Sequence, residues 1–122
     1  MVGYTTVGTN DWDAATAFYD ELLGTVGAKR LFEMESFVLW GTSMDKGCLA
    51  LVRPYDKKPA TVGNGVMVAF QMETPEAVDA FYAKALALGA TDEGPPGKRM
   101  EGFYAGYFRD LDGNKLNAFK LG

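Results

Sequence analysis

A tripeptide recurs at half the length of this 122-residue chain, and this repeat constrains the fold more than any single motif does. Ala17-Phe18-Tyr19 returns 63 residues later as Ala80-Phe81-Tyr82, and each copy is followed by Gly-Ala (Gly27-Ala28 and Gly89-Ala90). Similarity at a fixed offset is the signature of a duplicated supersecondary unit. The sequence therefore predicts two copies of one unit, so that each position in one half can be compared with its mate in the other.

The first half has the pattern of a strand, a helix and three more strands. Residues 3–9 alternate weakly and predict a strand. Apolar residues at helical spacing predict a helix over 12–23, with Asn10 or Asp11 as its N-terminal cap. Short apolar runs bounded by turn residues predict three strands, over 28–33, 36–42 and 48–53.

The second half repeats this order. Residues 66–72 predict a strand, Thr74-Pro75-Glu76 is a strong helix start, and Gly89 is placed to end that helix. A Gly/Pro loop is expected over 94–97. Three strands are predicted around it and after it, over 90–93, 103–109 and 115–120.

The predicted fold is α+β, with two βαβββ modules in a single domain of residues 1–122. Module one covers about 1–56, a linker rich in Pro and Gly covers about 54–65, and module two covers about 66–122. A half-sheet alone has exposed edges and one unburied face. We therefore expect the two modules to pair into an open, cupped barrel.

Composition excludes several classes of function. The net charge of −4 argues against binding a phosphate backbone, so no nucleic acid partner is expected. No apolar run is long enough to cross a bilayer and no signal-like start is present, which predicts a cytoplasmic protein without a membrane partner. The single cysteine, Cys48, lies among apolar residues and is expected to be an inert buried thiol. The chain has no histidine, which removes the commonest general base and metal ligand.

Four segments of the chain share a family pattern when taken in order, namely residues 11–23, 63–70, 76–82 and 107–116. Together they resemble the vicinal oxygen chelate superfamily, which includes glyoxalase I, bleomycin resistance proteins and extradiol dioxygenases. The last segment is similar to that superfamily's Phe-x-Asp-Pro-Asp-Gly-Asn signature, except that Leu111 replaces the usual proline. The resemblance covers nearly the whole chain.

The resemblance implies a divalent metal in active members, held by first-strand and last-strand residues of each module. These positions fall on Tyr4 and Met67 in the first strands, on Asn117 in the last strand of module two, and near Leu51 in module one. The 63-residue offset of the internal repeat also pairs Tyr4 with Met67, independently of the family resemblance. Leucine donates nothing, and a thioether, a neutral phenol and an amide are weak donors for a hard divalent ion. We therefore expect no metal, no cofactor and no catalytic residue at these positions.

The predicted function is that of a metal-free, glyoxalase-like or bleomycin-resistance-like protein that binds a small organic molecule in the barrel cavity. The resemblance also implies a homodimer. Strand alternation leaves open which strand face points into the cavity, and the alternative that these side chains only fill the core stays open. The predicted ligand contacts are Tyr4, Trp40, Leu51, Met67, Tyr104 and Asn117.

Two other functions are compatible with the sequence. One is a lyase or isomerase of the glyoxalase type, with an atypical metal site or acid–base work by Tyr4, Glu33 or Glu35. The other is an interaction module whose cavity is filled by its own side chains. The identity of the ligand and the geometry of the dimer stay open.

Overall fold

The computed structural model describes all 122 residues and divides them into two compact units. Unit 1 is Met1–Val62 and unit 2 is Gly63–Gly122. Unit 1 contains β1 (Tyr4–Gly8), α1 (Trp12–Gly24), β2 (Lys29–Met34), β3 (Phe37–Gly41) and β4 (Cys48–Val52). Unit 2 contains β5 (Val68–Gln71), α2 (Pro75–Ala87), β6 (Thr91–Met100), β7 (Phe103–Arg109) and β8 (Lys115–Leu121). Neither helix is long and apolar enough to span a lipid bilayer.

Both units have the same sheet topology. The strand order is β1-β4-β3-β2 in unit 1 and β5-β8-β7-β6 in unit 2. The first and last strands of each unit pair in parallel, while the other neighbours are antiparallel. The two helices are offset by 63 residues, as the tripeptide repeat requires. The prediction of an α+β fold built from two βαβββ modules is confirmed.

The helices begin and end where local side-chain chemistry directs them. The Asp11 carboxylate accepts a hydrogen bond from the Ala14 backbone N–H at 3.2 Å, so Asp11 caps α1. The Thr74 hydroxyl accepts one from the Ala77 N–H at 3.0 Å, and a proline opens α2. Gly89, with a φ of 107°, follows the end of α2 in a conformation that glycine adopts without strain.

Strand β6 is longer than the sequence predicts. The residues expected to form a Gly/Pro loop, 94–97, lie within Thr91–Met100. Their pairing with β7 is interrupted by three register shifts, and Gly94 has a φ of 151°. Because β6 is the edge strand of its sheet, its prolines cost no ladder hydrogen bond on the unpaired side. A bulged edge strand thus replaces the predicted strand and loop.

Each unit has its own core beneath its helix. In unit 1 the side chains of Trp40, Tyr19 and Leu22 are at most 1% exposed. In unit 2 those of Phe81 and Phe108 are at most 2% exposed. Burying one large apolar side chain stabilises the fold by about 1.5–3 kcal/mol, so these residues supply much of the stability of each unit.

Strand β7 passes so close to β6 that Gly106 has no room for a side chain. A Cβ atom at that position would lie 2.9 Å from the Cγ atom of Pro96 and 3.3 Å from its Cα atom. The absent side chain therefore lets the bulged edge strand lie against β7.

Candidate functional site

Helix α1 covers one face of the unit 1 sheet, and we call the opposite face the helix-free face. The Trp40 ring lies 5.7 Å from the Tyr19 ring of α1, and its indole N–H donates to Asp20 Oδ1 at 2.9 Å. Val38 shares this face with Trp40 by alternation and pairs with Leu51 of β4. Trp40 and Leu51 therefore both lie on the helix-covered face.

Aromatic side chains line the helix-free face of unit 1. The ring of Phe37 contacts those of Tyr4 at 5.8 Å and Phe32 at 6.1 Å, both edge to face. Tyr4 and Phe32 are each 52% exposed. This face thus offers apolar ring surface that the core of the unit does not use.

Helix α2 covers the unit 2 sheet in the same way. The Tyr104 hydroxyl donates to the Asp79 carboxylate of α2 at 2.6 Å, and the Phe108 ring lies 6.1 Å from that of Phe81. Alternation along β7 then puts Tyr107 on the helix-free face, and Asn117 of β8 is its cross-strand partner. Tyr104 therefore lies on the helix-covered face, and Asn117 on the other.

Asn117 is the one buried side chain with an unsatisfied polar atom. The residue is 1% exposed, and its Oδ1 atom accepts no hydrogen bond. Its cross-strand neighbour Tyr107 is flanked by Arg99, whose guanidinium carbon is 5.3 Å from the ring, and by Lys115, whose Nζ is 5.6 Å away. A buried acceptor without a partner is costly to the fold, which makes it a candidate contact for a ligand donor.

The structure separates the six predicted ligand contacts into two groups. Tyr4 and Asn117 lie on helix-free faces, and Met67, 40% exposed, stands directly before β5. The remaining three pack toward the helix of their own unit. These are Trp40, Leu51 and Tyr104. Leu51 follows Ala50 of the helix-free face, so a shift of one residue in the mapping accounts for its placement.

A groove of about 850 Å³ is formed within unit 1. It lies where β1 and β4 end, beside the turn that joins β2 to β3 and the loop that follows β4. Its walls combine apolar rings and chains with hydroxyl, amide and cationic groups. The lining residues are Thr9, Asn10, Ser36, Phe37, Val52, Arg53, Pro54, Tyr55, Lys57, Lys58 and Pro59.

The loop on one side of the groove is fastened to the start of α1. Asn10 Nδ2 donates to the Ala60 carbonyl at 3.0 Å, and the Ala60 N–H donates to Asn10 Oδ1 at 2.6 Å. Within the loop, the Lys57 N–H donates to the Pro54 carbonyl at 3.0 Å, and Lys57 has a φ of 63°. These bonds hold a segment that the sequence marks only as a linker.

The groove carries positive charge. The Arg53 guanidinium carbon lies 4.5 Å from the Trp12 ring, and Arg53 Nε donates to the Glu35 carbonyl at 3.3 Å. Lys57 and Lys58 also line the groove, whereas no carboxylate does. The sequence did not predict that the lysines of the linker lie in one lining with Arg53.

The side chains present do not fit a divalent metal. No group of three or more His, Cys, Asp or Glu residues lies close enough to hold an ion. Of the positions that the family resemblance assigns to metal ligands, Leu51 has no donor atom, and Asn117 offers a neutral amide. Glu33, a candidate base, is instead paired with Arg30 at 3.0 Å.

Cys48 is also unsuited to nucleophilic chemistry. Burial raises the pKa of its thiol, and the nearby carboxylate of Asp45 adds to that rise. A raised pKa leaves less of the reactive thiolate at neutral pH. Its Sγ atom donates to the Ser43 carbonyl at 3.6 Å. Cys48 is half-buried rather than fully buried, but the expectation of an unreactive side chain agrees with its surroundings.

Comparison with known proteins agrees with the fold and the resemblance. The family model described as "Glyoxalase/Bleomycin resistance protein/Dioxygenase superfamily" matches residues 2–118. A glyoxalase/bleomycin resistance protein from Albidiferax ferrireducens T118 is 37% identical and superposes with a TM-score of 0.91, over 100% of this chain and 99% of that one. No curated protein sequence matches the chain.

More distant solved structures share the fold. A glyoxalase/bleomycin resistance protein/dioxygenase family enzyme from Burkholderia phytofirmans PsJN is 21% identical, with a TM-score of 0.79 over 98% of each chain. A lactoylglutathione lyase from Agrobacterium tumefaciens is 22% identical, with a TM-score of 0.73 over 98% of this chain and 92% of that one. With a family model that matches almost its full length and two modules of the expected topology, the chain belongs to the glyoxalase/bleomycin resistance protein/dioxygenase superfamily.

Proposed function

We propose that this protein binds a small organic molecule in the groove of unit 1 and does so without a resident divalent metal. The volume and the lining of the groove are the observations that support this proposal. Its volume of about 850 Å³ falls within the range of roughly 300–1,000 Å³ that is typical of small-molecule sites. Its lining has the usual composition of such sites, with apolar walls and a few polar groups that set orientation.

The groove offers separate surfaces for the body of a ligand and for its polar groups. Phe37 and Val52 supply apolar surface from the helix-free face of the sheet. The hydroxyl of Ser36 lies in the same lining, on the turn between β2 and β3. The bonds between Asn10 and Ala60 hold the loop wall in place, so less conformational freedom is lost on binding.

Of the sequence-predicted contacts, Tyr4 lies in unit 1 and remains part of this proposal. It adds exposed ring surface on the same face as Phe37. Asn117 and Met67 lie in unit 2, outside the lining of this groove, and their contact with a ligand stays a separate prediction. Asn117 has an acceptor, Oδ1, that lacks a partner within the protein, and Met67 has a flexible thioether side chain of the kind that adapts to irregular ligand surfaces. We assign these residues no catalytic role.

The proposal is tested by screening small aromatic and aliphatic metabolites for thermal stabilisation, with two tryptophan variants for comparison. Ser36→Trp adds bulk at the wall of the groove, while Thr42→Trp adds the same bulk at an exposed position outside its lining. A true groove ligand raises the Tm of the wild type and of Thr42→Trp but not that of Ser36→Trp. Equal stabilisation of all three proteins would show that the groove is not the site.

Divalent ions provide the test of the enzyme alternative. The donor set leads us to expect no change in Tm with Ni²⁺ or Zn²⁺ at concentrations equal to that of the protein. A rise of several degrees that disappears in Asn117→Ala would instead favour a lyase or isomerase with an atypical metal site. The homodimer and the cytoplasmic location are also proposals. Light scattering during gel filtration measures the first, since a dimer has twice the mass of one chain.

A further inference from the structure

We propose that the ligand of the groove in unit 1 is an organic anion, with an aromatic or aliphatic body and a carboxylate, sulfonate or phosphate group. This inference rests on the proposed function, because it names the class of molecule that the groove binds. Three cationic side chains line the groove, namely Arg53, Lys57 and Lys58, and no acidic side chain does. The chain as a whole has a net charge of −4, so the charge of the groove is opposite to that of the protein.

Arg53 is held in a position that leaves part of its guanidinium available. The group lies over the Trp12 ring and donates to the Glu35 carbonyl through Nε alone. Its Nη1 and Nη2 atoms have no acceptor within the protein. A stacked guanidinium with free terminal N–H groups is well suited to an oxyanion, because those donors match the geometry of carboxylate and phosphate oxygens.

The two lysines have no acidic partner. Lys57 and Lys58 take part in none of the ion pairs of the protein. The nearest acid in sequence, Asp56, accepts a hydrogen bond from the Lys58 backbone N–H at 3.0 Å and is not part of the lining. Its Oδ1 atom thus bonds to the turn that presents the lysines, and no ion pair joins its carboxylate to either ammonium group.

Apolar surface and cations meet in this one groove. Phe37 and Val52 lie in the same lining as the three cations, so an amphipathic anion satisfies both kinds of surface. A cationic ligand faces like charges within the Debye length, about 8 Å at physiological ionic strength, and is disfavoured. The groove thus distinguishes ligands by charge as well as by shape.

A matched pair of probes tests this inference. 8-Anilinonaphthalene-1-sulfonate and N-phenyl-1-naphthylamine share the same aromatic body, and only the first carries an anionic group. Each is titrated by fluorescence into wild type, into Lys57→Gln/Lys58→Gln, and into Ser36→Trp. A fourth protein, Lys29→Gln/Lys46→Gln, loses the same two charges at exposed positions outside the groove. Circular dichroism and the Tm show that each variant folds.

We expect the sulfonate to bind about tenfold more tightly than the neutral probe. In Lys57→Gln/Lys58→Gln its Kd rises about tenfold, equivalent to about 1.4 kcal/mol, while the Kd of the neutral probe changes less than twofold. The Lys29→Gln/Lys46→Gln control changes neither constant more than twofold. Raising the salt concentration weakens the binding of the sulfonate but not that of the neutral probe.

The outcomes separate the two proposals. If both probes have the same Kd for the wild type, keep that Kd in Lys57→Gln/Lys58→Gln and bind more weakly to Ser36→Trp, the groove binds ligands. In that case the inference of an anion is overturned. If the sulfonate preference persists unchanged in Ser36→Trp, the anion binds elsewhere and the inference fails. If neither probe responds to Ser36→Trp, or neither binds, the proposed function fails together with the inference.

Discussion

Removing the Asp20 carboxylate tests the finding that Trp40 packs against α1 on the helix-covered face. Asp20 accepts a hydrogen bond from Trp40 Nε1 at 2.9 Å and two from Arg30, at 2.8 Å and 2.7 Å. The bonds from Arg30 lower the pKa of Asp20 most strongly, the bond from Trp40 lowers it further, and partial desolvation opposes both. Trp40 is 1% exposed, so water does not readily replace Asp20 as the acceptor for its indole N–H.

The expected cost follows from these contacts. A hydrogen bond from a buried donor to a charged acceptor contributes about 1.5–3 kcal/mol. The ion pair with Arg30 adds only about 0.5 kcal/mol, since both side chains are about a third or more exposed. We therefore expect Asp20→Ala to lower the free energy of unfolding by about 2–3.5 kcal/mol. For a chain of this size, that corresponds to a fall in Tm of about 8–14 °C.

Differential scanning calorimetry and urea unfolding measure the change. Asp20→Asn retains an acceptor for the indole, so it is expected to cost about 1 kcal/mol less than Asp20→Ala. Glu33→Ala removes the other acidic partner of Arg30 without touching Trp40, and its expected effect stays below about 0.5 kcal/mol. An Asp20→Ala protein as stable as the Glu33→Ala control would refute the reasoning.

The direction of the pH dependence provides a second check on the same group. Because folding lowers the pKa of Asp20, the carboxylate contributes stability above its unfolded value of 3.8. That contribution is lost as the pH falls through the lowered pKa of the folded protein. The difference in stability between wild type and Asp20→Asn should therefore shrink below pH 3.8.

Three further predictions address other parts of the molecule. Trp12 lies under Arg53 at the groove, so ligand binding should change the emission of wild type and of Trp40→Phe, but not that of Trp12→Phe; an unchanged response in Trp12→Phe would place the ligand elsewhere. Gly106→Ala should lower the free energy of unfolding by about 1–3 kcal/mol in urea titrations, because the new Cβ atom meets the edge strand, and a neutral effect would contradict the close approach. Burial and the hydrogen bond to Asp92 raise the pKa of Tyr82 from 10.0 to about 12, so the stability contributed by its neutral hydroxyl is complete below pH 10.0 and is lost toward pH 12; in alkaline unfolding this extra slope should be absent from Tyr82→Phe.

Local signals in the sequence predicted the elements well because their causes are local. Thr74 and the proline after it act within one helical turn, and both take the predicted roles at the start of α2. Gly89 likewise follows the helix in the expected left-handed conformation. The start of β6 was predicted, but its continuation through 94–100 was not, because the tolerance of proline and glycine there depends on its place at the edge of the sheet, which only the finished topology determines.

The faces of the strands required information of longer range. Alternation correctly separates Val38 and Trp40 from Phe37 and Leu39, but it does not say which pair the helix covers. Contacts between α1 and Trp40 decide that question, and the register of β3 on β4 then places Leu51 on the same face. A position inferred by analogy with a family pattern can thus be displaced by one residue, and in a strand one residue reverses the side chain.

The groove shows why binding surfaces are harder to predict than elements. Its walls come from the end of β1, a turn and a linker, and 50 residues separate Asn10 from the Ala60 backbone to which it bonds. Composition alone classed that linker as a connection between modules. Once the paired bonds of Asn10 fasten it to the start of α1, its two lysines lie with Arg53 in a single lining. The charge pattern that favours an anionic ligand is therefore a product of the tertiary fold, although every residue that creates it is visible in the sequence.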